Sequence, residues 1–131
     1  MTMLKFTDYN KYEVAKEMEI SACHKLNLPY ESGCTRWHGH NYYVVVYVGC
    51  DELTPEGMVI DFAHLKREIH SALDHNSLND TFDFNPTAEN MAKWICDKIN
   101  TMREGVNCFR VEVEETRNNV AVYNNFKRAG K

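Results

Sequence analysis

The chain has 131 residues, of which 44% are hydrophobic and 26% charged, a balance typical of one globular domain over residues 1–131. Its formal net charge of −4 argues against a nucleic-acid binder, because such proteins present a basic surface. The longest apolar run, residues 42–49, has the length of a strand and is too short to cross a bilayer, so we expect no membrane partner.

Cysteine usage favours a reducing compartment. The chain has five cysteines, an odd number, and no two of them have the CxxC spacing, which argues against a disulfide framework. The first residues include Lys5 and Asp8 and no long apolar segment, so no secretory signal is expected. We therefore expect a cytoplasmic protein.

Two strands are predicted in the first third of the chain. Residues 12–24 alternate between apolar and mostly acidic side chains, which is the period of a half-buried strand, and His24 falls on the apolar side at its end. Residues 37–49 are rich in Tyr and Val and predict a second strand after a polar loop over 25–36. The two strands are expected to pair antiparallel, with the loop at one end.

Two helices are predicted next. Asp61 can cap a helix over residues 62–73, whose apolar residues recur at helical spacing. A polar connection over 74–86 follows, and Thr87 can cap a second helix that Gly105 ends.

The last part of the chain predicts two more strands. Phe109, Val111 and Val113 alternate with charged residues and should share the apolar face of one strand. A turn over 117–119 and a short strand over 120–123 complete the chain. The order ββααββ predicts an α+β fold.

A histidine pair on the second strand can hold a metal ion. His38 and His40 are two residues apart, so their side chains share a face, with Cα atoms about 6.5–7 Å apart. The antiparallel pairing can bring His24 beside them, and three imidazoles with an open fourth position are typical of catalytic zinc. Two alternatives stay open: ordinary surface or packing histidines, and a closed structural site in which Cys34 is a fourth ligand.

Three further positions can carry acid–base chemistry. Cys34 lies in the loop close to the histidine pair, where a nearby metal or cation would favour its thiolate, although most single cysteines are inert. Asp74 directly precedes His75, and a carboxylate can orient an imidazole for proton transfer. The alternative for His75 is a favourable helix C-terminal position with no chemical role.

Glu115 has the parity of an apolar strand face. Buried carboxylates are rare unless they are paired, so Glu115 could instead accept two N–H bonds from a guanidinium-like edge of a ligand. The alternative is that the strand ends at Glu114 and that Glu115 is solvated in the turn.

Together these residues resemble the 6-pyruvoyltetrahydropterin synthase / 6-carboxytetrahydropterin synthase family. The resemblance covers essentially the whole chain in order, and its motifs lie at residues 21–24, 34–41, 59–62, 73–79, 85–90 and 115–116. It implies a tunnelling fold, in which ββααββ subunits assemble into an oligomeric barrel (here a pair of trimers forming a hexamer) with the helices outside and the sites between subunits.

The resemblance also implies a role for each site residue. Zinc would be held by the three histidines His24, His38 and His40. Cys34 would be the general base, and Asp74 and His75 would complete a proton relay with it. Glu115 would bind the aminopyrimidine edge of the pterin, with Thr116 beside it.

The spacing between Cys34 and His38 resembles one subtype of the family. Three intervening residues are similar to the carboxy-forming enzyme of 7-deazaguanine (queuosine-type) synthesis, whereas pyruvoyl-forming enzymes usually have a longer gap. The expected reaction converts 7,8-dihydroneopterin triphosphate to 6-carboxy-5,6,7,8-tetrahydropterin, releasing acetaldehyde and triphosphate. Lys25 and Arg36 are candidate triphosphate contacts. The alternatives are a pyruvoyl-type synthase, an activity like that of dihydroneopterin aldolase, and a zinc- or pterin-binding module without catalysis.

Overall fold

A computed structural model describes residues 3–126, and its framework is one antiparallel sheet of four strands in the order β1-β2-β3-β4. The strands are β1 (Tyr12–His24), β2 (His38–Cys50), β3 (Asn107–Glu115) and β4 (Val120–Asn124). Helices separate β2 from β3, so the predicted α+β class and the order of the four strands are confirmed, and the structure adds a short third helix to the two predicted.

The first two strands pair along their whole length. Tyr12 faces Cys50 at one end, and His24 faces His38 at the other. The predicted alternation is confirmed on β1, where Ile20 is fully buried and the Glu17 and Glu19 side chains are exposed. The strand register therefore places His24 opposite His38 at the end of the hairpin where the loop begins.

Three helical regions follow β2. The first, α1, is continuous through an α-helical stretch Phe62–Leu65, a π-helical stretch Lys66–His70 and an α-helical stretch Ser71–Leu73. The second, α2 (Leu78–Thr81), lies inside the predicted polar connection, and the third is α3 (Ala88–Asn100). None of the helices within residues 3–126 is long and apolar enough to cross a membrane.

The predicted helix caps are confirmed, but one predicted helix end is wrong. Asp61 Oδ1 accepts a hydrogen bond from the Ala63 amide at 2.8 Å, and Thr87 Oγ1 accepts one from the Asn90 amide at 3.1 Å. α3 ends at Asn100 rather than at Gly105. Gly105, with φ +89°, lies in the turn before β3, where a left-handed backbone favours glycine.

The apolar faces of the helices pack on one face of the sheet. The core there combines strand residues such as Ile20, Val44 and Val111 with helix residues such as Leu65 and Ile95, all essentially inaccessible to solvent. The helices therefore cover one side of the sheet, and the histidine end of the hairpin lies at the edge of this core.

One prediction about β3 is wrong because of a bulge. The register between β2 and β3 shifts at Tyr47/Val48, so that Tyr47 faces Arg110 while Val48 faces Cys108. The extra residue is Phe109, which packs with Tyr47 on the opposite face of the sheet from Val111. A bulge inserts one residue into the alternation and reverses the parity on one side of it.

Candidate metal centre and active site

Three imidazoles meet at the end of the β1–β2 hairpin. His24 and His38 are paired across the strands, and His40 projects from the same face of β2 as His38. One ring nitrogen from each histidine lies within 4.8 Å of those of the other two. The structure therefore brings together the three histidines that the sequence predicted as a metal site.

Each imidazole is oriented by an oxygen atom at Nδ1. Nδ1 of His24 lies 2.8 Å from the Pro86 carbonyl oxygen, and that of His38 lies 2.7 Å from the Arg36 carbonyl oxygen. Because a carbonyl only accepts, these two rings carry their proton on Nδ1 and keep a lone pair on Nε2. Nδ1 of His40 contacts Thr116 Oγ1 at 2.7 Å, and this hydroxyl, which can donate or accept, orients the third ring.

This donor set fits a divalent metal ion. Metal-binding histidines usually donate one ring N–H to an oxygen, which fixes the tautomer and directs the other nitrogen to the metal. Nε2 of His40 is buried and makes no hydrogen bond, although Glu115 Oε1 lies 3.3 Å away, so its lone pair can bind a metal ion. Burial lowers the pKa of His24 and of His40, with Glu115 opposing the shift, so both rings favour the neutral form that binds metals.

Glu115 and Thr116 stand beside the metal centre at the end of β3. Glu115 Oε1 lies 3.3 Å from His40 Nε2, and its side chain is 21% exposed. Two backbone bonds hold this corner: the Glu115 amide donates to Asn119, and the Thr116 amide donates to Asn41. Thr116 has φ +54°, and this left-handed turn directs its hydroxyl to His40. A pterin contact by either residue stays a prediction.

Cys34 lies in the loop before β2 and outside the histidine cluster. It is partly buried in a single 3₁₀ turn, Gly33–Thr35, where Ser32 accepts a hydrogen bond from its amide at 3.2 Å. The group of metal-binding side chains found within residues 3–126 consists of the three histidines without Cys34. The structure thus groups the three histidines and places Cys34 outside the group, and a catalytic role for Cys34 stays a prediction.

The two predicted phosphate contacts lie in the same loop. Lys25 places its ammonium group 5.2 Å from the centre of the Trp37 ring, and Arg36 is exposed. Both cations are accessible beside the cluster, and triphosphate contacts by them stay a prediction.

Asp74 and His75 touch each other at the outer edge of β1. Asp74 Oδ2 lies 3.3 Å from His75 Nε2, while Asp74 Oδ1 accepts a hydrogen bond from the Ser21 amide at 2.9 Å. That backbone N–H, followed by the charges of His75 and His70, lowers the pKa of Asp74. His75 has φ +58° and a side chain that is 83% exposed, so the imidazole is presented to solvent beside an ionised carboxylate.

A cleft of about 690 Å³ lies next to both groups of residues. Its lining includes His40 and Thr116, and also Ser21 and His75. The structure thus places one of the three histidines and the imidazole of His75 along the same cleft.

Comparison with known proteins decides the family. Residues 13–125 match the family described as 6-pyruvoyl tetrahydropterin synthase. The chain belongs to the 6-pyruvoyl tetrahydropterin synthase family. The resemblance predicted from the sequence is confirmed, and with it an enzyme of the pterin synthase type.

Relatives in this family carry two different names. The 6-carboxy-5,6,7,8-tetrahydropterin synthase of Bacillus subtilis is 37% identical over 123 residues, covering 86% of this chain and 84% of the relative. The 6-pyruvoyl tetrahydrobiopterin synthase of Homo sapiens is 33% identical over 130 residues, covering 85% and 90%. The structure of the Caenorhabditis elegans 6-pyruvoyl tetrahydropterin synthase has a TM-score of 0.67 at 28% identity, covering 88% and 96%.

Sequence reasoning missed three features of this pterin synthase family site. They are the Pro86 carbonyl at His24, the Thr116 hydroxyl at His40, and the contact of His70 with Asp74. No local sequence pattern predicts the first two contacts, because the partners are 62 and 76 residues apart in the chain. The four-residue spacing of His70 and Asp74 on a predicted helix was the available signal for the third.

Proposed function

We propose that the chain converts 7,8-dihydroneopterin triphosphate and one water molecule to 6-carboxy-5,6,7,8-tetrahydropterin, acetaldehyde and triphosphate, as a step toward 7-deazaguanine (queuosine-type) compounds. The observation that carries the proposal is the set of three imidazoles held at Nδ1, beside a cleft that also contains His75. The carboxy-forming product is supported by the name of the Bacillus subtilis relative and by the three residues between Cys34 and His38.

The metal of the proposed enzyme is Zn²⁺, held by His24, His38 and His40. Three imidazoles with an open fourth position are typical of catalytic zinc, and oxygen partners at Nδ1 are the usual support of such ligands. When bound, the ion supplies Lewis-acid polarisation of a substrate oxygen.

Protons are moved by side chains around the cluster. Cys34 acts as the general base on the substrate side chain, and His75 returns a proton while Asp74, 3.3 Å away, stabilises its charged form. The exposure of His75 suits an exchange of protons with substrate.

Glu115 anchors the aminopyrimidine edge of the pterin. Its carboxylate is partly buried next to His40 and Thr116, and a carboxylate can accept hydrogen bonds from two N–H donors of a ligand. Thr116 lies next to it, and Lys25 and Arg36 supply positive charge for the triphosphate.

The enzyme assembles as a tunnelling-fold barrel of two trimers, with sites completed between subunits. A four-stranded sheet with helices on one face leaves the opposite face available for such closure. The five cysteines are all free thiols, which supports a reducing cytoplasm.

A second candidate is a pyruvoyl-type synthase, which eliminates triphosphate and keeps the side-chain carbons. The human relative with that name, 33% identical over most of this chain, favours keeping this alternative. The two reactions differ in acetaldehyde, which is released only in the carboxy-forming one.

The test is incubation of the purified protein with 7,8-dihydroneopterin triphosphate, identification of the pterin product, and an acetaldehyde assay. We expect the carboxy product and one zinc per chain. Cys34→Ala should keep the zinc and lower kcat by about 10²–10⁴-fold, the usual contribution of a general base. A pyruvoyl product would replace the first candidate by the second, and loss of zinc in Cys34→Ala would indicate a closed metal site.

A further inference from the structure

His70 lies at a helical irregularity next to Asp74. The turn Lys66–His70 is π-helical, and the Ser71 amide accordingly donates to the Lys66 carbonyl, five residues back. Such turns contain one more residue than an α-helical turn and occur frequently at functional sites. The neighbouring Ile69 and Leu73 are fully buried, so the helix is fixed while His70 projects toward the edge of β1.

The His70 ring bonds to the same strand edge as Asp74. His70 Nε2 donates to the Glu19 carbonyl at 2.9 Å, and two residues along β1 the Ser21 amide donates to Asp74 Oδ1 at 2.9 Å. These groups face outward from β1, since β2 pairs with the other side of the strand. The two side chains thereby replace part of a missing neighbouring strand.

The main chain continues this pairing beyond Asp74. The His75 amide donates to the Ser21 carbonyl at 2.6 Å, and the Cys23 amide donates to the Asn76 carbonyl at 3.2 Å. The His70 hydrogen bond is therefore the first of a row of bonds along the β1 edge, and the last of them involve the turn that contains His75.

The Asp74 carboxylate lies between two imidazoles. Its Oδ2 atom is 3.3 Å from His75 Nε2 and 3.8 Å from His70 Nε2. Because the His70 proton is bonded to the Glu19 carbonyl, His70 can hold the helix end in place without displacing His75 from the carboxylate.

We propose that His70 is a positioning residue, whose Nε2–H bond to the Glu19 carbonyl aligns Asp74 with His75. This inference rests on the proposed function, in which Asp74 and His75 move protons. The required property is a donor at the position of Nε2, since neither bulk nor charge alone would hold the carbonyl.

A pair of variants that differ by one methylene group tests this. In His70→Gln the side-chain amide can reach the position of Nε2, whereas in His70→Asn it is one carbon shorter. We expect His70→Asn to lower kcat about tenfold, as loss of an orienting partner does, with KM and zinc content unchanged. His70→Gln should keep at least half of the wild-type kcat.

The matched control is His64→Asn on the same helix. His64 is exposed, and its Nε2 atom lies 3.6 Å from Asp61 at the start of the same helix. This variant should have wild-type kcat, and all three variants are compared by thermal unfolding, so a general loss of stability is recognised.

A second readout needs no activity. Hydrogen exchange of the Ser21 amide reports its bond to Asp74, and it should be faster in His70→Asn than in wild type, His70→Gln and His64→Asn. If the wild-type protein makes no carboxy product, the proposed function fails and this exchange rate alone tests the inference.

Three results would overturn the positioning role. One is that His70→Asn and His64→Asn have the same kcat and the same hydrogen-exchange rate at the Ser21 amide. Another is a fall in kcat in folded His70→Gln as large as in His70→Asn. The third is a rise in KM with kcat unchanged, which would place His70 in substrate binding instead.

Discussion

The orientation of each imidazole in the metal centre is supported by one oxygen atom at Nδ1. Two of these oxygens are backbone carbonyls, which no substitution of a side chain removes, but the third belongs to Thr116. The hydroxyl lies 2.7 Å from His40 Nδ1, so it orients the ring that also faces Glu115. Thr116 is therefore the accessible point for testing how the protein orients its ligands.

Thr116→Val should weaken metal binding about 10–100-fold, the usual effect of losing an oxygen partner of a histidine ligand. Valine keeps the shape and the β-branch, so the left-handed turn is changed little. The measurement is zinc competition with a chromogenic chelator in the absence of pterin. Thr116→Ser keeps the hydroxyl and should bind as wild type; equal affinity in all three proteins would contradict the orienting role.

Glu115→Gln should weaken pterin binding while leaving the zinc content unchanged. A neutral amide loses a charge-assisted pair of hydrogen bonds, about 1.5–3 kcal/mol, or roughly 10–100-fold in Kd. Binding of a product pterin, followed by calorimetry, measures this directly. Glu114→Gln, which changes the adjacent residue, is the control and should bind normally. Equal pterin affinity in the two variants would remove Glu115 from the anchor role.

At the scale of elements, the start of α3 supports both the core and the site. Thr87 caps this helix, and the preceding residue, Pro86, supplies the carbonyl that orients His24. The helix then buries Met91, Ile95 and Ile99 against the sheet. Loosening the first turn of α3 should therefore lower the stability of the protein and also disturb the orientation of His24.

Thr87→Ala should lower the free energy of unfolding by about 1 kcal/mol, because the Asn90 amide loses its acceptor. Urea denaturation of the wild-type and variant proteins measures the change. Thr87→Ser keeps an oxygen at the same position and should recover most of the stability. Identical midpoints for the alanine and serine variants would show that the cap contributes little.

At the scale of the whole molecule, the metal centre adjoins one end of the core, where the hydroxyl of the core residue Tyr42 lies 3.3 Å from His24 Nδ1. The buried cluster between sheet and helices runs from Val48 and Cys108 to Leu78, whereas the histidines stand at the end of the β1–β2 hairpin. His24 is fully buried, but its Nδ1–H is satisfied by the protein itself. The fold is thus complete without contributions from a ligand.

Removal of zinc should abolish activity and leave the protein folded. A metal that binds only the native state adds stability by mass action, about 2.7 kcal/mol at a hundredfold excess over Kd. Chelation should therefore lower Tm while the far-ultraviolet circular dichroism stays native, and added Zn²⁺ should restore both activity and Tm. Unfolding on chelation would instead identify the ion as structural.

Much of this protein could be predicted from local patterns in its sequence. Alternation predicted β1, helix caps at Asp61 and Thr87 predicted two helix starts, and the spacing of His38 and His40 predicted a shared face. These features depend on neighbours within a few residues, and the period of a strand or helix converts that spacing into direction. The predicted antiparallel pairing of β1 and β2 brings His24 opposite His38 at the loop end of the hairpin.

Only the tertiary structure decided the rest. The bulge at Tyr47/Val48 moved Phe109 to the other face of the sheet, and the fold brought Pro86 to His24 and Thr116 to His40. These contacts join residues far apart in the chain. They form only when the strands pair and the helices pack on the sheet, so no local sequence pattern predicts them. The local sequence thus determined most of the elements and the candidate metal ligands, whereas packing determined how those side chains are oriented.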